Sequence, residues 1–554
     1  MTTPPTDDAG GEAAAATPPA PRPEQARDAG GRHALLVGAG IFLSRIAGLV
    51  RTKVLAHFFG LGDVQDAYSV ALRIPNLLQN LFGEGALSAS FIPVYAGLVS
   101  RGEDEEAGRT AGAVLALLSL VAAVGVLAGL LLAPWLVSVL APGFTGAKRD
   151  LTIGLVRIFF PGVGLLVVSA WCLGILNSHR RFLLSYSAPI LWNAAIVAAL
   201  AIGWRSGVAT TATLPRLAAY AAWGAVAGSA LQLLVQLPSV LRLARGLRVG
   251  LGRGSPHVRT VLRNFAPALV SRGAAQISAW VDTIIASKLP EAAAGAIFNA
   301  QMIYTLPVSL FGMSVSAAEL PAMSSVTGSD AEIATALRAR LETAMRRIAF
   351  FVVPSAAAFL AFGDLVAAIV LQGGRFTYDD SRYVWGILAG SAVGLLAATL
   401  ARLVSSSFYA LRDTRTPLRF ALLRIGTGIA LGWPAALWLP GALGIDARWG
   451  AALLTLSSGV AGWTELALLR RAIARRVGAV RIGAGVLARL WGAAVAAAAA
   501  GWGVKRLLGG VDARLVAVAA LSAFGVVYLA LTATLGVGEA RGLAGRLTRR
   551  LRRR

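Results

Sequence analysis

Cysteine, histidine and charge are all scarce in this chain. The one cysteine, Cys172, lies inside an apolar run, which excludes an intrachain disulfide framework and a cysteine-based metal site. The four histidines, His33, His57, His179 and His257, are scattered, with no pair spaced to share a metal, so no metal site is expected. Charged residues make up only 14% of 554 residues and apolar residues 56%, with a mean hydropathy of +0.68. That is more apolar surface than a soluble domain can bury, so lipid is the expected solvent. No GxxxxGK[ST] loop is present, and nothing suggests ATP as a driver.

The net charge of +25 would suggest nucleic acid in a soluble protein. Here the arginines fall between apolar runs, a pattern of membrane topology, and no nucleic-acid partner is expected. Residues 1–32 have no apolar core and read as a disordered cytoplasmic tail, not as a cleaved signal. Beyond them we count about fourteen apolar stretches near the length that spans a bilayer. The fold class expected is an all-α polytopic membrane protein, with no room for a soluble catalytic domain.

Arginine is retained on the cytoplasmic side, so the connections set the orientation. The connection after the sixth span holds Arg242, Arg245, Arg248, Arg253, Arg259 and Arg263, and the one after the twelfth holds Arg470, Arg471, Arg475, Arg476 and Arg481. Arg180 with Arg181, Arg412 with Arg415, and the run from Arg546 to Arg554 fall on the same side. The opposite connections are balanced by acids, as in Lys148 with Asp150 and Arg375 with Asp379 and Asp380. Both termini are therefore expected in the cytoplasm.

Two stretches about 230 residues apart look alike. GILNSHRRF (174–182) matches SFYALRDTRTP (407–417), and Phe82-Gly83 followed by Pro93 matches Phe311-Gly312 followed by Pro321. Two six-helix lobes related by a pseudo-two-fold axis along the membrane normal are implied, plus two C-terminal helices. The expected division is a tail at 1–32, an N-terminal lobe at 33–245, a basic linker at 246–260, a C-terminal lobe at 261–480, a final helix pair at 481–540 serving as a lipid-tail groove, and a basic tail at 541–554.

Charges inside spans are costly and mark function. Arg45, Arg51 and Lys53 fall in the first span and Arg73 in the second, at comparable depth, and are taken as cations of one cavity. A guanidinium suits a phosphate because its planar fork donates paired hydrogen bonds and stays charged when desolvated. The plain alternative is snorkelling to the interface or pairing with Asp66. Other charges within spans are Glu84, Asp282, Glu319, Arg424 and Glu465. Asp282, among Trp280, Val281, Ile284 and Ile285, is expected to pair with Arg424 or to serve in coupling.

The run from Ser44 to Val94, which contains SRIAGLVR, DVQDAYSVALRIPNLLQNLF and GEGALSASFIPV, closely resembles the opening of the MurJ (MviN) family. APW (133–135), APGF (141–144), ILNSHRRF (175–182), QLP (236–238), GRFT (374–377) and DTRTP (413–417) follow in order. The resemblance implies the multidrug/oligosaccharidyl-lipid/polysaccharide exporter fold around a cationic cavity. It also implies a bacterial inner-membrane transporter, not an enzyme, that flips lipid II, an undecaprenyl-pyrophosphate sugar-peptide, for peptidoglycan synthesis. Membrane lipids and the wall-synthesis machinery are the further partners implied. By position Arg45, Arg51 and Arg73 match the family's cavity cations, and Asp66, Asn76 and Glu84 its supporting positions. Thr52 stands where the family has aspartate, and Gln79 and Met302 stand where it has arginines. Asp282 falls at a sodium-site carboxylate of some members, but the other ligands of that site are not evident. No cofactor is expected, with the membrane potential as driver and Arg424 replacing the ion as an internal cation; sodium is the alternative, on an incomplete site. A flippase for another polyprenyl-pyrophosphate oligosaccharide and a non-transporting scaffold are the competing readings.

Overall fold

The computed structural model describes residues 23–252, 254–290, 292–411 and 413–542. Arg253, Arg412, residues 1–22 of the expected N-terminal tail and residues 543–554 of the basic C-terminal tail lie outside the described residues, and so does the side chain of Glu84. Among the described residues the chain is a succession of helices: α1 (Pro23–Phe59), α2 (Asp63–Phe82), α3 (Glu84–Ser100), α4 (Asp104–Leu140), α5 (Gly146–Ser178), α6 (Phe182–Arg205) and α7 (Leu214–Leu243). After the basic connection come α8 (Pro256–Ser287), α9 (Ala293–Pro307), α10 (Ser314–Ser324), α11 (Asp330–Leu371), α12 (Tyr378–Ala410), α13 (Arg415–Leu437), the short α14 (Leu439–Ala442) and α15 (Gly450–Val477). The last pair is α16 (Ala484–Leu507) and α17 (Ala513–Thr534). Residues 23–32, expected in the tail, are already helical: Pro23 opens α1, and the alanines, glutamate, glutamine and arginines that follow are good helix formers.

Twelve spans among the described residues are long and apolar enough to cross a membrane, with α2 and α3, and likewise α9 and α10, each counted as one broken span. The helices α1 and α8 lie outside that set, although their 37 and 32 residues exceed the length a crossing needs. The chain is thus a multi-pass membrane protein with twelve such spans, against the fourteen expected. Leu120, Val124, Leu127, Leu131 and Trp135 line the outer face of α4, an apolar surface suited to lipid.

The two halves repeat one pattern of neighbours. In the first, α1 packs on α6, α4 on α5, and α5 and α6 on α7; in the second, α8 packs on α13, α11 on α12, and α12 and α13 on α15. The correspondence extends to a defect. The second span is interrupted at Gly83, whose extended backbone leaves only its N–H bonded back to Gln79 O. Its counterpart is interrupted after Pro307 by a wide turn over Val308–Met313 that contains Gly312. Both breaks fall on the Phe-Gly pair that revealed the repeat.

Lipid tails are as apolar as leucine, so helices in a membrane associate through close packing of small residues. In the second lobe Gly390 and Gly394 of α12 lie against Thr455 and Gly459 of α15, where a Cβ on Gly394 would come within 2.4 Å of Gly459 Cα. In the first lobe Gly224 and Gly228 of α7 meet the backbone of α6 in the same way. The pair α16 and α17 packs on α11. Lys505 reaches buried Asp364 at 2.6 Å, and the Tyr528 hydroxyl donates to Phe350 O at 2.8 Å.

Candidate functional site

The interior charges come from several helices of both lobes. On α1, Arg51 is 6% exposed, with its guanidinium 4.9 Å from the centre of the Trp192 ring of α6. Its Nε has no hydrogen-bond partner. On α2, Arg73 donates to Thr283 Oγ1 of α8 at 3.0 Å and lies within the field of the neighbouring Asp282. Among the described residues neither arginine has a carboxylate at ion-pair distance. Burying an arginine is costly without a counter-charge, which marks Arg51 as a candidate anion ligand, with Arg73 half-buried on the next helix.

Beside Asp282 opens a cavity of about 760 Å³ enclosed by α8, α9, α10, α12, α13 and α15. Asp282, Arg424 and Glu465 all line it. The direct partner of Arg424 is Glu465, Nε to Oε2 at 3.0 Å, and Asp282 is only within its field. The pairing of Asp282 with Arg424 expected from sequence is therefore corrected: Glu465 of α15 lies closer to the α13 guanidinium, while Asp282 stands between Arg73 and Arg424. Arg73, Asp282, Arg424 and Glu465 thus neighbour one another in turn, with alternating charge.

The other expected cavity cations go elsewhere. Lys53 is exposed and donates to Ile369 O of α11 at 3.0 Å, which ties α1 to the last turn of α11. Arg45 is exposed on α1 and, like Arg51 and Arg73, is not among the residues lining the cavity. Helical geometry gives the reason: residues two apart lie on opposite sides of a helix, and residues six apart diverge by about 120°, so Arg45, Arg51 and Lys53 cannot share one direction. Asn76 is half-buried on α2. Met302 of α9 packs beside Gly48, leaving an apolar contact between α1 and α9 at the position of a family cation.

Asp66 has a different task. Its carboxylate accepts from Ala292 N at 3.2 Å and Gly295 N at 2.6 Å, and bonds Lys148 Nζ of α5 at 2.7 Å. Ala292 is the N-cap of α9 and has no side-chain oxygen to offer, and its backbone is left-handed at φ 71°. Asp66 supplies the missing cap from the other lobe, placing negative charge at the positive end of α9. Lys148 also reaches Asp63 at 2.8 Å. This cluster fastens the two lobes at the acid-balanced end of the bundle.

Lys148 and the Asp364–Lys505 pair were not singled out from sequence, because each depends on contacts between distant helices. Arg402 was also missed, although an arginine within the apolar run LLAATLARLV is the same signal that flagged Arg424. Arg402 lines the cavity. No cluster of three or more metal-ligating side chains occurs among the described residues.

Three comparisons bear on this arrangement. The family model described as lipid II flippase MurJ matches residues 55–536. The chain is similar to a probable lipid II flippase MurJ of Rhizobium meliloti, with 30% identity over 439 residues that cover 78% of each protein. It is likewise similar to the lipid II flippase MurJ of Burkholderia cenocepacia, with 31% identity over 398 residues, 71% of this chain and 75% of the relative. Among solved structures, a lipid II flippase MurJ in an inward closed conformation superposes with a TM-score of 0.73 at 21% identity, covering 90% of this chain and 98% of the other. An inward-facing multidrug transporter of the MATE family superposes at 0.62 and 16% identity, covering 78% and 94%. The two superpositions speak to the fold alone.

Proposed function

We propose that this chain, which belongs to the MurJ family of lipid II flippases, carries the lipid II headgroup across the membrane by alternating access, with Arg51 and Arg73 holding its pyrophosphate. The protein is a transporter, and no bond in the cargo is made or broken. The observation that carries the assignment of residues is a buried guanidinium, Arg51, and a half-buried one, Arg73, in the first two spans, neither bonded to a carboxylate among the described residues. A pyrophosphate supplies the missing charge, and the fork geometry of arginine supplies paired donors. The prenyl tail stays in lipid, with α16 and α17 as its groove.

The arginine-rich end of the bundle is the cytoplasmic one in this reading, with both termini on that side. The Asp66 clasp then closes the outer side, and the cycle requires α9 to leave Asp66 so that the lobes separate there. Asp66 would keep Lys148 as a partner when α9 departs, which limits the cost of opening. An inside-negative potential favours return of the emptied cationic site at about 2.3 kcal/mol per charge per 100 mV for a full crossing. Arg424, held by Glu465 and facing Asp282, serves as a fixed internal cation, so transport does not require sodium. The delivered precursor passes to the wall-synthesis machinery outside.

Complementation of cells depleted of their own lipid II flippase tests this reading. The intact chain is expected to restore growth, while Arg51→Ala and Arg73→Ala, expressed and inserted to the same level, do not. Failure of the correctly inserted intact chain contradicts lipid II as cargo and favours another polyprenyl-pyrophosphate sugar or a scaffold role. Rescue by both variants contradicts the role given to the arginines.

A further inference from the structure

The cavity of the second lobe is lined by two arginines, Arg402 and Arg424, and two carboxylates, Asp282 and Glu465. Arg424 is bonded to Glu465, and Asp282 lies between Arg424 and Arg73. Arg402 lines the same cavity and, among the described residues, has no carboxylate within ion-pair distance. Its field reaches Glu465, so one carboxylate serves two guanidiniums. Counting about 1.5 Å per residue, Arg402 lies roughly 12 Å inside the end of α12, too deep for a cation held only by lipid.

The neighbours of Arg402 are arranged as a binding face. Ser405, Ser406 and Tyr409 follow it at three, four and seven residues, the spacing that puts side chains on one stripe of a helix, and all four line the cavity. Tyr304 reaches the same space from α9. The hydroxyls of Ser405, Tyr409 and Tyr304 make no hydrogen bond among the described residues, which leaves three donors around an exposed guanidinium that has no ion-pair partner among those residues. A volume of about 760 Å³ falls within the roughly 300–1,000 Å³ typical of small-molecule sites. It accepts part of a large headgroup.

We infer that Arg402, with Ser405, Tyr409 and Tyr304, forms a second anion-binding subsite in the C-terminal lobe, which takes an oxyanion of the transported headgroup apart from the Arg51 and Arg73 pair. The inference rests on the transport reading above. A guanidinium with surrounding hydroxyls binds phosphate and carboxylate alike, so the anion is either a pyrophosphate oxygen or a carboxylate of the stem peptide.

The test is equilibrium binding to the purified full-length chain in nanodiscs, using undecaprenyl pyrophosphate, which lacks a carboxylate, and N-acetylmuramyl pentapeptide, which lacks a phosphate. Arg402→Gln is expected to weaken one of the two probes by about tenfold or more while sparing the other, because a charge-assisted bond is lost. The probe affected identifies the source of the anion. Arg402→Lys keeps the charge without the fork and is expected to lose less, and thermal melting of the unliganded variants checks that both fold. If Arg402→Gln fails to fold, a Ser405→Ala/Tyr409→Phe double variant takes its place, with about a threefold loss for the same single probe. Variants that bind both probes as the intact chain does overturn the subsite while leaving the transport reading in place. An intact chain that binds neither probe overturns both.

Discussion

The two lobes share a backbone plan and differ in how they treat charge. Each has a broken second span, a glycine-lined contact on its last long helix and the same order of neighbours. Among the described residues Arg51 and Arg73 of the first lobe have no bonded carboxylate, whereas in the second lobe Arg424 is bonded to Glu465 and shares its surroundings with Asp282 and Arg402. The repeat therefore preserves packing and lets the polar interior diverge. Packing is set by small residues at many contacts and tolerates little change, while one interior side chain can be replaced at the cost of one charge pair.

The largest expected effect comes from breaking the balanced side of this contrast. Glu465→Ala leaves Arg424 with only the more distant Asp282 as a counter-charge and is expected to destabilise the second lobe by about 2–4 kcal/mol. A double Glu465→Ala/Arg424→Ala variant recovers most of that loss, because the ion pair is removed as a unit. Thermal unfolding in detergent, followed at a site in the second lobe, checks both. If the double variant is no more stable than the single, the pair is not what holds these helices together.

The next effect concerns the contact between the lobes. Asp66→Ala removes the cap of α9 and the partner of Lys148, and is expected to weaken closure at that end by about 2 kcal/mol. Distances between spin labels on α2 and α9 should then lengthen in the resting protein. An unchanged distance distribution would mean that the rest of the α2–α9 interface suffices.

The smallest effect separates two matching turns. In the first lobe His179 follows α5, with the Tyr95 hydroxyl 3.1 Å from its Nε2, and burial pushes its pKa below the usual 6.5. In the second lobe Asp413 is held below its usual 3.8, foremost by hydrogen bonds from the backbone and hydroxyl of Thr416, and also by Arg476 at 2.5 Å. Both folded pKa values are depressed, so both contributions to stability are present at neutral pH and lost on acidification. The His179 loss begins as pH falls through about 6.5 and the Asp413 loss only below about 4. A His179→Gln variant should remove the upper step of the acid titration of stability and leave the lower one. Persistence of the upper step would assign it to another group.

These particulars also show what the sequence could and could not convey. Spans were legible because lipid demands long apolar helices, and the repeat was legible because its Phe-Gly pairs sit at the breaks of the two matching spans. The buried state of Arg51 was legible too, since a charge within such a run is driven away from lipid and into the protein interior. The direction of a side chain round its helix is also legible in principle: the spacing between Arg51 and Lys53 places them on opposite faces, so a shared depth does not give a shared cavity. Partners such as Glu465 for Arg424, or the start of α9 for Asp66, depend on which helices meet in space. Hydropathy carries no record of that.

The central claim is that Arg51 and Arg73 of the first lobe carry the pyrophosphate. Its most direct test is the rate at which labelled lipid II reaches the outer leaflet in cells relying on this chain, read by cleavage with a hydrolase added outside. For equally expressed protein, Arg51→Ala and Arg73→Ala are each predicted to slow that rate by about 10- to 100-fold, the loss of one charge-assisted contact or two. Flipping at the rate of the intact chain in both variants would contradict the account.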